Sequence, residues 1–142
     1  MNDDGTPRFR TSDIISFCRG GDTRGLCFGG WPDDIMGIYL SCHHSNGSLV
    51  LVEDDGELVA LAVGTKMLEA DIDKHWRAWD ESGDCMLLQD VVAKTKQGLA
   101  ACLDELDVRC PEWRELKLFA NRHGKRKQIK PEVFERIVER WK

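Results

Sequence analysis

Residues 87–106 read LLQDVVAKTKQGLAACLDEL. The stretch decides the fold class because its period changes in the middle. Cys85 to Val92 is a mostly apolar run that ends in two β-branched residues, the signature of a covered strand. From Lys96 to Asp107 the apolar positions are Leu99, Cys102, Leu103 and Leu106, the i, i+3, i+4, i+7 spacing of one helix face. A strand that runs straight into an amphipathic helix points to an α/β chain. A single glycine, Gly98, stands where that helix begins. Glycine in a helix interior costs roughly 1 kcal/mol against alanine. Two readings follow. Gly98 is an ordinary weak spot, or the turn bares backbone amides that hold an anion.

Working outward, Ser48–Glu53 is strand-like, Asp54-Asp55-Gly56 is a turn, and Glu57–Gly64 is a second strand. Asp-Gly between two β-rich runs is a strong hairpin signal. The second strand is apolar at nearly every position from Leu58, which predicts a central strand covered on both faces. Leu116–Ala120 is a fourth strand after Cys110-Pro111, so a strand–helix–strand unit follows the hairpin and implies a mixed sheet. Upstream, Phe9-Arg10 reads as the start of a short strand. Thr11-Ser12-Asp13 then supplies capping chemistry for a helix through Ile14–Cys18 that stops at Gly20-Gly21. Pro32 with Asp33-Asp34 starts a second helix, with Ile35, Met36, Tyr39 and Leu40 facing inward. Residues 66–84 are charged and carry Trp76 and Trp79 at helical spacing, which reads as a surface helix or lid. Arg122–Lys127 reads as a basic loop, and Pro131 opens a final amphipathic helix. Residues 1–8 read as a loose tail, with a single domain over 9–142.

The 142 residues suit one domain, and a net charge of −5 argues against a dedicated nucleic-acid coat. No apolar run approaches the roughly 20 residues of a membrane span, and MNDDGTPRFR has no signal-peptide core. A cytoplasmic protein with no membrane partner is the expectation. The six cysteines form no C-x-x-C pair. Cys42-His43-His44 is the one metal-like cluster, but adjacent ligands do not easily face one ion, so no metal site is expected.

The order of elements resembles the GNAT acyltransferase superfamily. Its pyrophosphate loop reads Arg/Gln-x-x-Gly-x-Gly/Ala. Thr95-Lys96-Gln97-Gly98-Leu99-Ala100 matches that loop at Gly98 and Ala100, with Thr95 in place of the Arg or Gln. A looser similarity is to the toxin-activating lysine acyltransferases, through Trp31-Pro32, Asp90 and Gly124-Lys125 in that order. The His which that branch places before Trp-Pro has no counterpart in Cys27-Phe28-Gly29-Gly30. The resemblance implies an α/β fold with a GNAT-like mixed β-sheet flanked by helices, truncated at the C-terminal hairpin. It implies an acyl-CoA donor, acetyl-CoA first, contacted by Val92, Lys94, Thr95, Lys96, Gln97, Gly98, Leu99 and Ala100. The acceptor is an amine on a small molecule or a protein, and a homodimer is one way to replace the trimmed hairpin.

Acyl transfer to an amine needs a base. Asp90 is the candidate, since desolvation among Leu88, Val91 and Val92 raises a carboxyl pKa. Its other readings are an exposed strand-end Asp or one capping a neighbouring amide. Tyr39 is either a proton donor to the leaving thiolate or helix packing. Trp76 and Trp79 line a groove or pack on the sheet, His75 is solvated, and Cys27 lacks a positioned base. Arg122, Lys125, Arg126 and Lys127 either grip phosphates, of coenzyme A or of nucleic acid, or form a solvated loop. Three functions are therefore carried forward: an acyl-CoA-dependent N-acyltransferase, a non-catalytic GNAT-like interaction or assembly module, and a nucleic-acid binding or modifying protein.

Overall fold

Asp55 and Gly56 take φ of 54° and 81°, the left-handed pair that a two-residue hairpin turn requires. In a computed structural model they join β1 (Leu49–Asp54) to β2 (Glu57–Met67), in antiparallel register from Leu49↔Val63 to Asp54↔Glu57. The structure describes residues 9–20, 30–73, 79–122 and 125–130, with 132, 133, 136 and 139 beyond them. The sheet continues through β3 (Cys85–Ala93), β4 (Lys117–Arg122) and β5 (Lys125–Ile129), in the spatial order β1-β2-β3-β4-β5. All neighbours are antiparallel except β3 and β4, which are parallel because α3 (Lys96–Arg109) carries the chain between them. Two further helices, α1 (Thr11–Gly20) and α2 (Asp33–Ser45), precede the hairpin. The chain is thus α/β with a five-stranded mixed sheet.

Strand alternation sorts the apolar side chains into two layers. Leu49, Leu61, Val63 and Val92 meet Ile14, Phe17, Met36, Tyr39 and Leu40 of α1 and α2. Val50, Ala60, Ala62, Met86 and Leu88 meet Cys102, Leu103 and Leu106 of α3. Strand β2 is central and buried from Ala60 through Met67, as its apolar run requires. Its face toward α3 carries small residues because the helix lies close. A Cβ on Gly64 would sit 2.7 Å from Leu106 Cδ2. Arg109 ties the far end of α3 to the start of β1, donating to Gly47 O at 2.6 Å and Leu49 O at 3.0 Å.

Four expectations are corrected. Phe9-Arg10 is not a strand but the entry to α1. The Arg10 amide donates to Asp13 Oδ2 at 3.0 Å, so the capping chemistry begins the helix at Thr11 itself. Ile35 is exposed, because the buried stripe of α2 is Met36, Tyr39, Leu40 and His43, and Ile35 lies one position off it. The described part of residues 66–84 is not a surface helix. Thr65, Lys66 and Met67 extend β2, followed by a single 3₁₀ turn at Glu69–Asp71. Lys66 fits inside because its ammonium meets Glu112 Oε1 at 2.6 Å while its stem packs. Residues 125–129 are the edge strand β5, not a loop. Lysines on an edge are compatible with pairing on one side and guard the other. The helix expected after Pro131 falls mostly outside the described residues, of which Glu132, Val133, Arg136 and Glu139 are helical.

The turn from the 3₁₀ segment into β3 passes against β2 at Gly83. A Cβ there would lie 2.6 Å from the backbone N and O of Met67, whereas one on Gly20 would meet nothing within 4 Å. Because the obstacle is backbone, Gly83→Ala is expected to lose about 2–3 kcal/mol in urea unfolding. Gly20→Ala should stay within about 0.5 kcal/mol of the parent. Equal unfolding midpoints for the two variants would refute this account of the turn.

Candidate functional site

Strand β3 carries one residue more than β2 can pair. Val63 faces Asp90 and Gly64 faces Leu88, so Gln89 is an added residue, a β-bulge. The bulge changes which way the next side chain points. Leu88 packs in the α3 layer, and both Gln89 and Asp90 turn to the α1/α2 layer. Val91 then returns to the α3 side and Val92 to the α1/α2 side. Asp90 shares the α1/α2 side with its pairing partner Val63, and the extra residue adds Gln89 beside it.

On the α1/α2 side Asp90 meets Tyr39. The phenol donates to Asp90 Oδ2 at 2.6 Å, with Gln89 Oε1 a second acceptor at 3.3 Å. Asp90 and Gln89 are each 2% exposed and Tyr39 is wholly buried. The Tyr39 ring is held edge-on by Trp31, with centroids 5.2 Å apart, and by His43 at 4.5 Å. Cys18 of α1 belongs to the same layer. Burial, and after it the Asp90 carboxylate, push its thiol up to about 12. His43 turns inward to this cluster while His44 is exposed, so the Cys42-His43-His44 run splits across the helix. Among the described residues no group of three or more His, Cys, Asp or Glu converges to hold a metal.

The parallel pairing of β3 with β4 ends at Leu88↔Ala120, immediately before the bulge. Beyond it β3 runs on beside β2, and the side chain of Asn121 on β4 donates to Gln89 O at 3.4 Å. The bulge therefore marks the place where β3 and β4 part.

Further along the chain, the first turn of α3 answers the question that Gly98 raised. Thr95 is the N-cap, and its Oγ1 accepts the Gly98 amide at 2.9 Å. Gly98 is buried, and a Cβ on it would meet Thr95 Oγ1 at 3.0 Å, Ala60 Cβ at 3.1 Å and Val59 Cγ2 at 3.2 Å. The glycine lets the helix start sit on β2. Of the residues matched to the loop, Lys94, Thr95, Lys96 and Gln97 are exposed, Leu99 is half-buried, and Val92, Gly98 and Ala100 are buried. Lys94 Nζ lies 5.3 Å from the Phe17 ring centre, which joins this turn to the α1 side of the sheet.

The structure joins Asp90 to Tyr39, and it adds Gln89, Trp31 and His43 around them. The sequence signal for the cluster was the polar pair Gln89-Asp90 inside an apolar strand, where strict alternation permits one inward polar residue and not two. Of the basic residues, Arg126 is spent on Asp73 and on Ile72 O, while Lys125 and Lys127 are exposed on the edge strand. Trp79 packs beneath the α3 layer. Cys27, His75, Trp76 and Gly124 lie outside the described residues. No helix among the described residues is long and apolar enough to cross a membrane.

Neither a family model nor a curated protein matches the chain.

Two tests follow from this geometry. Gly98→Ala gains about 1 kcal/mol of helix propensity but forces contacts on a strand and on the cap, an overpacking cost of about 1–3 kcal/mol. A net loss near 1 kcal/mol is expected in urea unfolding, and a stabilised variant would show that the cap can yield. The buried thiols give a pH signature. Burial raises Cys18 and Cys102 to about 12 and Cys85 and Cys110 to about 11, from the ordinary 9.0. Between those limits the native state holds protons that the unfolded chain has released, so stability falls as pH rises above about 9. Cys18→Ala should flatten the slope of unfolding free energy against pH between 9 and 11, whatever its own cost in packing. An unchanged slope would count against the buried, neutral thiol.

Proposed function

We propose that the chain is a GNAT-like, acyl-CoA-dependent N-acyltransferase in which Asp90 is the base. The observation that carries this reading is the bulge. It sets Gln89 beside Asp90 in a desolvated cluster, at the point where β3 leaves β4 and heads for the N-terminus of α3. The strand order supports it: two antiparallel pairs, then a parallel pair connected by one helix. The donor set at the end of β3 is compatible with phosphates. Lys94 and Lys96 are exposed beside the start of a 14-residue helix, whose dipole favours an anion there. Gly98 serves this turn by packing it on β2, since its own amide already goes to Thr95.

Acyl-CoA would supply an activated thioester carbonyl and a thiolate leaving group. The protein's share is proton transfer and shielding. Asp90 takes the proton that makes an ammonium acceptor nucleophilic, and the α1/α2 layer keeps water from the carboxylate.

A second reading is favoured by one pair of facts. Asp90 is almost fully buried, and the amide at the matched glycine is occupied. Both belong equally to a GNAT-like domain that serves as an interaction module without turnover.

Calorimetric and thermal-shift titration with acetyl-CoA and coenzyme A separates the two. At about 100 times its Kd a ligand specific for the folded state adds about 2.7 kcal/mol, which is visible as a raised Tm. The enzyme reading expects that shift, its weakening at least tenfold in Lys94→Glu/Lys96→Glu, and acylated amine by mass spectrometry. Gly98→Glu is unsuitable as the test, because its side chain would collide with β2 before meeting any ligand. No shift at millimolar ligand would leave the non-catalytic module as the function.

A further inference from the structure

The two edges of the sheet are finished differently. Strand β5 closes one edge with Lys125, Arg126 and Lys127, charges that oppose pairing with a further strand. Strand β1 closes the other with Leu49-Val50-Leu51-Val52-Glu53-Asp54. It has no lysine, arginine or proline. Its one register irregularity is an extra residue, Val59, on β2, so β1 itself runs unbroken. Leu51 and Val52 are only half-buried, so apolar surface reaches the boundary of the sheet. Among the described residues β1 has no strand on its outer side.

Backbone direction fixes what this edge offers. The Gly64 amide donates to Ser48 O at 2.9 Å, so that carbonyl points toward β2. Alternation turns Leu49 O outward, and Arg109 of α3 meets it there at 3.0 Å, together with Gly47 O at 2.6 Å. The same alternation turns the amide and carbonyl of Leu51 outward, and those of Glu53. The edge thus has a basic end at Arg109, an apolar centre at Leu51 and Val52, and an acidic end at Glu53 and Asp54.

We propose that β1 is a self-association edge: it pairs antiparallel with β1 of a second copy of this chain, about a two-fold axis at Leu51. In that register Leu51 exchanges both backbone hydrogen bonds with Leu51 of the partner subunit. Val50 lies opposite Val52 of the partner subunit, and Ser48 opposite Asp54 of the partner subunit. Val50 and Val52 pack in the α3 layer, and alternation puts the exposed Asp54 on that same side. Arg109 approaches from that side too. Each Asp54 carboxylate therefore comes beside the Arg109 guanidinium that is anchored at the start of the other strand. The acidic end of one copy meets the basic end of the next, twice, as a two-fold interface requires. A parallel pairing would set acid against acid. Joining two β5 edges would set lysines against lysines. The inference does not depend on the acyl-transfer reading, since β2 separates β1 from the bulge on β3.

The test combines sedimentation velocity of the full chain, from about 1 to about 100 μM, with residue-resolved hydrogen exchange at the same concentrations. The expected result is a dimer that dissociates on dilution. The Leu51 amide should be protected in the dimer and exchange freely in the monomer. Asp54→Lys should weaken the dimer about tenfold at about 50 mM salt and by less at about 500 mM, because the ion pairs lie at the surface. Leu51→Pro removes an outward donor, spares the ladder to β2, and should stay monomeric throughout. A parent that is monomeric at about 100 μM would overturn the proposal. So would a dimer whose Leu51 amide exchanges as fast as in the monomer, since that dimer is joined elsewhere. Protection of Leu51 in a species that sediments as a monomer would assign the edge to another segment of the same chain, and would overturn it as well. If Leu51→Pro does not fold, Asp54→Lys and the parent's Leu51 amide decide without it.

Discussion

Strand β3 must serve two neighbours of opposite sense. It pairs antiparallel with β2 from Cys85 to Ala93, and parallel with β4 only from Cys85 to Leu88. The two ladders demand different hydrogen-bond spacing and slant. At the residue where the parallel ladder stops, one extra residue enters β3 and Asn121 reaches back to Gln89 O. That residue sets two polar side chains in succession on one face, with Gln89 joining Asp90 beside Tyr39. A bulge costs ladder hydrogen bonds and bends the strand, and bulges are enriched beside functional sites for this reason.

The opposite face of the sheet shows how close packing fixes the rest. Strand β2 presents Ala60, Ala62 and Gly64 to α3, and α3 presents Gly98 to Val59 and Ala60. Small residues on both sides bring the helix axis near the sheet, so its first turn lands at the end of β3 with little freedom. The end of the same helix is held by Arg109 on the carbonyls of Gly47 and Leu49. The connection from β3 to β4 is thus clamped at both ends. Whatever Lys94, Lys96 and Gln97 contact, they do so from a rigid platform.

Much of this was legible in the sequence where one signal dominated. Asp55-Gly56 announced the hairpin, the i, i+3, i+4, i+7 stripe announced α3, and the unbroken apolar run announced a central β2. Two of the misreadings share a cause. Lys66 and Lys125–Lys127 are charged residues in strands, and a one-dimensional pattern places charge in helices or loops. Lys66 has Glu112 as a partner 46 positions away, and β5 needs only one neighbour because it is an edge. Neither fact exists until the chain is folded. Gly98 matched a phosphate-loop pattern by position, but its necessity comes from Val59 and Ala60 on another strand. For the site, Asp90 stood out as a carboxylate among apolar residues. Its contact with Tyr39 did not, because the two lie 51 positions apart.

The cluster at the bulge also separates two ways in which a protein tolerates a buried charge. Lys66 and Glu112 follow one way. They are opposite charges in contact at 2.6 Å near the surface, with Glu112 partly in solvent, and they hold the end of β2 against the segment before β4. That arrangement is static, since neither group gains by changing its protonation. Asp90 follows the other way. It accepts from the Tyr39 phenol at 2.6 Å, its neighbours include a neutral thiol and an imidazole ring, and it lies deeper. A carboxylate in an apolar layer is tolerated only when it is hydrogen-bonded, and α2 meets part of that demand by setting a phenol over the sheet where phenylalanine would fill the same space without a donor.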